Sequence, residues 1–420
     1  MPTIFLLDID CFFASVEMSL HPELRGKPLC IGGRRGDRGI VACPNYEARA
    51  YGVKTAMPLR TAEKLLPPEA VFLPGSHRVY GEYSERVMDL LCDFTPDIEQ
   101  VSIDEAYMDV SGCLHFWGGD PQAMARAMKE RIWKECGLST SIGIASNKVC
   151  AKIAAGLRKP DGLVLVPHGG EKEFLAPLPV EMVPGIGVKT TPKLHAMGIF
   201  TVADILHPTS HIPARTTEAK FNTVRSGGPH LTSWIGRYLS AVGNGSDTHI
   251  MQYDRVEKSI SRDTTFGQDS ADRSFIEATL YYLTEKCCKT LRRRSMVAST
   301  ITAKVRFSDF TTLQKQMTLA SPTADEREIF ALVRRLLATL HPHNRMLRLV
   351  GVKVSQLTPA ADAQPDMIKG DKAGCLNQRL DALREKFGYA SIQWGITHSL
   401  GKHFETDDDG YRLHSPVYGM

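Results

Sequence analysis

Four acids in this chain stand where a strand has little use for charge. Asp8 and Asp10 lie two residues apart at the end of the apolar run TIFLLDI. Asp104 and Glu105 interrupt a second strand-like stretch, IEQVSIDEAYMDVS. A short apolar run ended by acid reads as a buried strand that delivers a carboxylate to its edge. If the two strands are neighbours, Asp8, Asp104 and Glu105 converge on one sheet edge, where they repel and raise one another's pKa. A pair of divalent cations removes that repulsion. Hard oxygen donors select Mg²⁺ or Mn²⁺, with phosphate oxygens completing the coordination. Two such ions, about 3.5–4 Å apart, clamp the attacking and leaving oxygens of an in-line phosphoryl transfer. The alternative at this point is that the acids are solvated turn residues, as strand-end acids often are.

Cations follow. NYEAR sets Tyr46 and Arg49 three residues apart on an opening helix, so a hydroxyl and a guanidinium share one face. LRKPDG places Arg158 and Lys159 at a turn after a helix. Arg and Lys beside a carboxylate–metal site suit a triphosphate, although each taken singly reads equally well as a solvated base. In VPGIGVKTTPKL, Val183 to Leu194, Gly185 and Gly187 sit between two short helical stretches, with Lys189 and Lys193 close behind. That is a helix–hairpin–helix pattern, whose backbone N–H groups can reach a phosphate. It points to sequence-independent contact with a nucleic-acid backbone; an ordinary glycine-containing helical turn is the alternative.

The elements that must position these residues are those of a multidomain α+β protein. At 420 residues the chain suits roughly two to four domains, and its 43% apolar content is that of a globular protein. No apolar run approaches the roughly 18 residues of a membrane span. The N-terminal MPTIFLLDID has no basic leader and reads as a first strand. Ten scattered cysteines, none in a C-x-x-C pair, predict reduced thiols. Strand-like and helical stretches alternate up to about residue 168 in an order that indicates a largely antiparallel sheet. Short helices joined at Gly-Ile-Gly follow. The stretch 209–253 is polar, Gly-rich in places, and reads as a linker. A second α+β unit runs over 255–358. The tail holds PAADAQP and then an amphipathic helix, CLNQRLDALREKFG.

Charge separates the parts. Residues 1–253 carry 26 Lys+Arg against 27 Asp+Glu, residues 254–360 carry 18 against 11, and residues 361–420 carry 7 against 9. The excess positive charge therefore sits in one module, which suggests a polyanion gripped there and processed by the neutral part.

The stretches DIDCFFASVE, NYEARAYGV, SIDEAYMDVS, GIASNKVCAKIAAGLRKPDG and VPGIG occur in the order and approximate spacing of the Y-family translesion DNA polymerases. The chain resembles that family over residues 1–358, and within it the bacterial DNA polymerase IV group. The resemblance implies a right-hand polymerase: palm at 1–10 and 78–168, small fingers at 11–77, a helical thumb at 169–240, a linker at 241–254, a little-finger domain at 255–358 and a tail at 359–420. It implies low-fidelity, template-directed addition of dNTPs to a primer 3′-OH in DNA damage tolerance, with two Mg²⁺ ions for which Mn²⁺ can substitute. Asp8, Asp104, Glu105 and the Ile9 carbonyl would hold the metals. Phe12, Phe13, Tyr46, Arg49 and Lys159 would meet the incoming nucleotide. Phe13 would be the steric gate against a ribose 2′-OH and the Phe12 ring would pack; Asp10 would be a supporting acid. Gly185, Gly187 and Lys189 would meet DNA.

The implied setting is a monomer in the bacterial cytosol, associated with the nucleoid, that binds primer–template DNA and docks on a sliding clamp without a membrane. QPDMI, Gln364 to Ile368, is a degenerate clamp-binding candidate without the usual aromatic ending. Cys43 stands where many family members carry Ser or Thr, which puts one phosphate contact in doubt. Two rivals make distinct predictions. A catalytically silent DNA-binding subunit of a lesion-bypass complex would lack the acidic set. A two-metal nuclease or nucleotidyl cyclase on a similar palm would not need the Gly-Ile-Gly segment or the basic module.

Overall fold

A computed structural model describes residues 2–206, 228–244, 251, 257–341, 345–362, 372–407, 409–411 and 413. The chain divides into two compact units. One comprises Met1–Gly26 and Gly75–Arg255, the other Lys27–Pro74 and Val256–Met420.

In the first unit the opening strand Ile4–Ile9 lies at the centre of a five-stranded sheet. It runs antiparallel to Glu105–Asp109 on one side and to Thr140–Ala145 on the other. Ile98–Gln100 flanks the first of these, and Leu163–Leu165 lies parallel to the second. The strand is buried almost throughout because it is covered on both faces, as its unbroken apolar run predicts. Ile4 and Leu6 pack with Val149 and Ile153 of the helix Lys148–Leu157. Successive side chains alternate across a strand, so Asp8 emerges on that same helix-covered face. The helix can lie close because residue 143 is glycine: a Cβ there would stand 2.0 Å from the Ala151 carbonyl oxygen. Asn147 caps the helix, its side chain accepting from the Cys150 amide at 2.9 Å.

The stretch read as a linker over 209–253 contains a helix, Gly228–Gly243. Its Ile235, Leu239 and Val242 join the same apolar cluster as Ile4 and Leu6. Their i, i+4, i+7 spacing is helical; the glycines and polar residues on either side masked it.

The second unit contains a small three-stranded sheet, Cys43–Pro44, Leu29–Ile31 and Val71–Leu73 in that order. Its larger part is a four-stranded antiparallel sheet ordered Thr312–Thr323, Met296–Phe307, Leu347–Pro359, Ser259–Ser270. The helices Arg273–Arg293 and Glu326–Leu340 pack on it through Ile276, Leu280, Ile329 and Val333, against Ile301, Val305 and Val350. Arg38 is ion-paired with Asp269, and Arg34 with Glu405 at 3.2 Å, within this unit.

The described part of the tail forms a C-terminal module. The helix Lys372–Phe387 leads it, and Tyr389, Leu400 and Tyr411 pack on Ala278 and Tyr282. The seam between this helix and Arg273–Arg293 is charged rather than apolar. Arg384 pairs with Glu285, and Arg292 Nε donates to Asp381 at 2.6 Å. Tyr389 donates its hydroxyl to Glu285 at 3.0 Å.

Candidate active site

The two acid-bearing strands are neighbours, and Asp8 sits directly opposite Glu105 in the ladder. The Ile9 amide donates to the Asp104 carbonyl at 2.9 Å, which joins the two strand ends. Directly opposed side chains share a face about 5 Å apart at Cβ, so the two carboxylates would repel if left alone. Two ammonium groups from the helix Lys148–Leu157 and the turn after it counter them. Lys159 is ion-paired with Asp8. Lys152 donates to both oxygens of Glu105, at 2.9 and 2.7 Å. Asp104 accepts from the Ser102 hydroxyl at 2.5 Å.

The sequence leads one to expect three carboxylates converging on one sheet edge. The backbone brings them to one sheet end, but the side chains point to separate partners. Among the described residues no three His, Cys, Asp or Glu side chains converge as ligands around one point. The physical reason is charge: each acid turns to the donor nearest it. Burial pushes Asp8 up to about 7, against the pull of Lys159, and the nearby Glu105 and Asp104 add to the rise. The donor set fits a hard divalent cation: all its atoms are carboxylate or carbonyl oxygens, and the balancing charges sit on lysine side chains long enough to move.

Asp10 is buried and fully occupied. It accepts from Ser139 and Ser141 hydroxyls and from the Asp161 amide, each at 2.8 Å. It therefore clasps the end of the first strand to its neighbour and fixes the turn that carries Arg158 and Lys159. Between Asp10 and the helix Phe12–Leu20 the chain bends at Cys11, which has left-handed angles of φ 38° and ψ 53°. That conformation is uncommon for a residue with a side chain. Ser15 holds the bend by donating its hydroxyl to the Asp10 carbonyl at 2.5 Å.

Past the bend, the Phe12 ring is buried, whereas Phe13 is half-buried and stacks on Tyr80, with centroids 4.4 Å apart and planes at 13°. Tyr80 is itself fixed, its hydroxyl donating to Glu17 at 2.7 Å. The platform beneath Phe13 was not found in the sequence: Tyr80 lies 67 residues further on, and only the fold brings the two rings together. Lys152 was also missed. The signal for it was present: Lys148 and Lys152 stand one helical turn apart, and Lys148 is ion-paired with Glu99.

Tyr46 and Arg49 belong to the other compact unit. The helix Tyr46–Ala50 is capped by Asn45, whose side chain accepts from Ala48 N at 2.9 Å. The Arg49 guanidinium lies over the Tyr46 ring at 4.9 Å, so the two do share a face. Cys43 is buried in the adjoining strand.

Gly185 has φ +94° and, with Gly187 and Lys189, is exposed in a turn before the helix Thr191–Ala196. The turn is closed by the Thr190 amide donating to the Gly187 carbonyl at 2.8 Å. It borders an open cavity of about 480 Å³ whose other wall includes Lys152, Ile153 and Gly156. Gln364–Ile368 lies outside the described residues.

Strand-end acids balanced by movable ammonium groups, on a mostly antiparallel sheet, suit the class of palm-like domains that transfer phosphoryl groups. Comparison with known proteins narrows it. The impB/mucB/samB family matches residues 7–156, its C-terminal domain matches 257–367, and the helix–hairpin–helix motif of the same family matches 168–199. A DNA polymerase IV of Dehalococcoides mccartyi is 40% identical over 402 residues, covering 95% of this chain and 98% of that protein. A DNA polymerase IV of Desulfatibacillum aliphaticivorans is 34% identical, covering 94% and 97%. Among solved structures, a Y-family DNA polymerase chimera matches with a TM-score of 0.68 and 28% identity, covering 84% of this chain and 98% of that one. An insertion ternary complex of Dbh DNA polymerase matches with a TM-score of 0.58 over the same shares. The chain belongs to the Y family of DNA polymerases, in the group of bacterial DNA polymerase IV proteins. It is a DNA-directed DNA polymerase of the translesion kind, and the silent-subunit reading is not favoured.

Proposed function

We propose that the strand-end acids Asp8, Asp104 and Glu105, with the Ile9 carbonyl, are the metal-holding centre of this polymerase and that two Mg²⁺ ions serve it. The observation that carries this reading is the register of Asp8 opposite Glu105, with each acid neutralised by its own lysine. The ions, when bound, lower the charge cost of bringing the primer 3′-OH to the α-phosphate. Lys159, released from Asp8, is within reach of the triphosphate of the incoming dNTP. Tyr46 and Arg49 supply a hydroxyl and a planar guanidinium for the same phosphates. Phe13, backed by Tyr80, forms a stiff wall under the sugar; a wall that cannot retreat excludes a 2′-OH by contact. Asp10 holds the Lys159 turn rather than a metal.

The exposed turn at Gly185, Gly187 and Lys189 suits a DNA backbone phosphate. The basic module over 254–360 suits a duplex, and its open sheet face carries Lys304, Arg306 and Lys353. Primer–template DNA and dNTPs are thus the partners, a reading supported by the likeness to an insertion ternary complex of Dbh DNA polymerase. On this reading residues 1–10 and 78–168 are palm, 11–77 fingers, 169–240 thumb and 255–358 little finger. The protein works as a monomer in the bacterial cytosol, on the nucleoid, with a sliding clamp to hold it on DNA. Among the described residues no helix is long and apolar enough to cross a membrane.

The test is primer extension by the pure protein. Extension with Mg²⁺ and dNTPs, lost on chelation and restored by Mn²⁺, is expected. Extension that persists in Asp104→Ala, or DNA affinity that collapses with it, would remove the acids from the role assigned here.

A further inference from the structure

The helix Lys372–Phe387 is turned the wrong way for an amphipathic helix at the edge of a core. An amphipathic helix normally buries its apolar stripe and wets the polar one. Here the side toward the rest of the unit is polar. Arg384 is buried against Glu285, Asp381 is held by Arg292, and the Asn377 amide is buried with neither of its atoms hydrogen-bonded. The apolar stripe faces out. Leu376 is 41% exposed, Leu383 44% and Phe387 60%, and Leu380 is half-buried between them.

These four positions follow one another at spacings of four, three and four, the seam spacing of one helix packed along another. Isolated exposed leucines need no account, but a row of them rimmed by charge marks a contact surface. The rim on the outer side is basic: Arg379 and Lys386 are both exposed, and the Lys386 ammonium stands 5.2 Å from the Phe387 ring. The other side of the stripe is closed by the inward ion pairs.

We infer that this stripe is a docking surface for an amphipathic helix of another protein, apolar along its seam and acidic along the edge that meets Arg379 and Lys386. Charge complementarity selects that occupant. A second copy of this chain would bring a second pair of cations to the same rim, and like charges at such edges repel. An uncharged helix would leave both cations without a partner at the margin of an apolar contact. The surface is on the C-terminal module and uses none of the residues assigned to catalysis.

The test uses the full-length chain and a fluorescent, stapled helical peptide of about four turns, with leucines spaced four-three-four and glutamates along one flank. Saturable binding in fluorescence anisotropy is expected. Reversing the rim with R379E/K386E should weaken it about tenfold, and a lysine-flanked version of the peptide should bind that variant in preference to the parent chain. Leu383→Gln should weaken binding by a further tenfold or so through lost apolar burial. Thermal melts and primer extension should be unchanged in all three variants, because the substituted side chains are exposed; Phe387→Gln completes the set. Equal binding of acidic and basic peptides, or indifference to Leu383→Gln, would overturn the proposal. So would a dimer in sedimentation that dissociates on Phe387→Gln, which would make the occupant a second copy.

Discussion

Two regions of this molecule set carboxylates against cations out of water, and they do so to opposite ends. At the palm sheet edge the Lys152 side chain is 38% exposed and Glu105 19%. At the seam with the C-terminal module Arg384 is 5% exposed and Glu285 3%. Both are charge-assisted pairs of a cation with a glutamate. Access differs. A lysine with one side in solvent can leave its acid when a better cation or a phosphate arrives. An arginine sealed on all sides cannot leave without stranding a charge, which costs several kcal/mol. On the proposed metal-holding role the first pairing is a reversible stand-in, whereas the second is a structural joint. Burial, more than the identity of the pair, separates a working ion pair from a fixed one.

That contrast can be broken most severely at Asp104. Asp104→Ala should lower primer extension about a thousandfold or more, the loss of about 4 kcal/mol of transition-state stabilisation. It should leave the melting temperature within a degree or two and DNA affinity nearly intact. A comparable fall in stability would make the palm acids a joint like the other. The reverse pattern is expected for Arg384→Ala, which strands Glu285 and should cost about 3 kcal/mol in denaturant unfolding, with extension rates on undamaged template largely retained.

Phe13→Ala should open the sugar wall. Ribonucleotide incorporation should rise by about ten- to a hundredfold relative to dNTP, the worth of one ring's contact energy. Unchanged sugar selectivity in single-nucleotide kinetics would dismiss the gate.

A gentler probe uses pH. Burial, opposed by Arg384 and reinforced by Glu326, raises the Glu285 carboxyl from 4.5 to about 7. Between those values the folded chain holds the proton more tightly than the unfolded one. Stability from this group is thus present below pH 4.5 and declines as pH rises through 7. Glu285→Gln should flatten that part of the melting-temperature profile. A slope that survives the substitution would place its origin elsewhere. The smallest effect belongs to Tyr80→Phe, which removes one hydrogen bond to Glu17 and should cost about 1 kcal/mol, with a modest loosening of sugar selection.

The acids were legible in the sequence because a buried apolar strand gains nothing by ending in Asp unless that carboxylate has work at the sheet edge. The strands and helices of the second α+β unit were readable from their periodicity, whereas the pairing of the two acid-bearing strands was only a condition of the reading. Asp10 was readable only as a supporting acid. What it supports depends on Ser139, Ser141 and Asp161, which are remote in sequence and ordinary in type. The helix Gly228–Gly243 was hidden by its setting, since its helically spaced Ile235, Leu239 and Val242 lie within a stretch otherwise polar and rich in glycine. The C-terminal helix was legible as amphipathic, but periodicity says nothing about which stripe faces the core. There the ion pairs with Arg292 and Glu285 decided, and these partners lie 89 and 99 residues away.

The bend at Cys11 joins these matters. Asp8 and Phe13 stand on either side of one left-handed residue, with the strand end clasped by Asp10 and the helix start held by Ser15. On the roles proposed for Asp8 and Phe13, turnover and sugar choice are two traits hung on one short, stiff piece of chain. A lineage, or an engineer, that shifts this corner to admit an altered sugar also shifts the acid. Variants selected for one trait will drift in the other unless the change is confined to the ring of Phe13 itself.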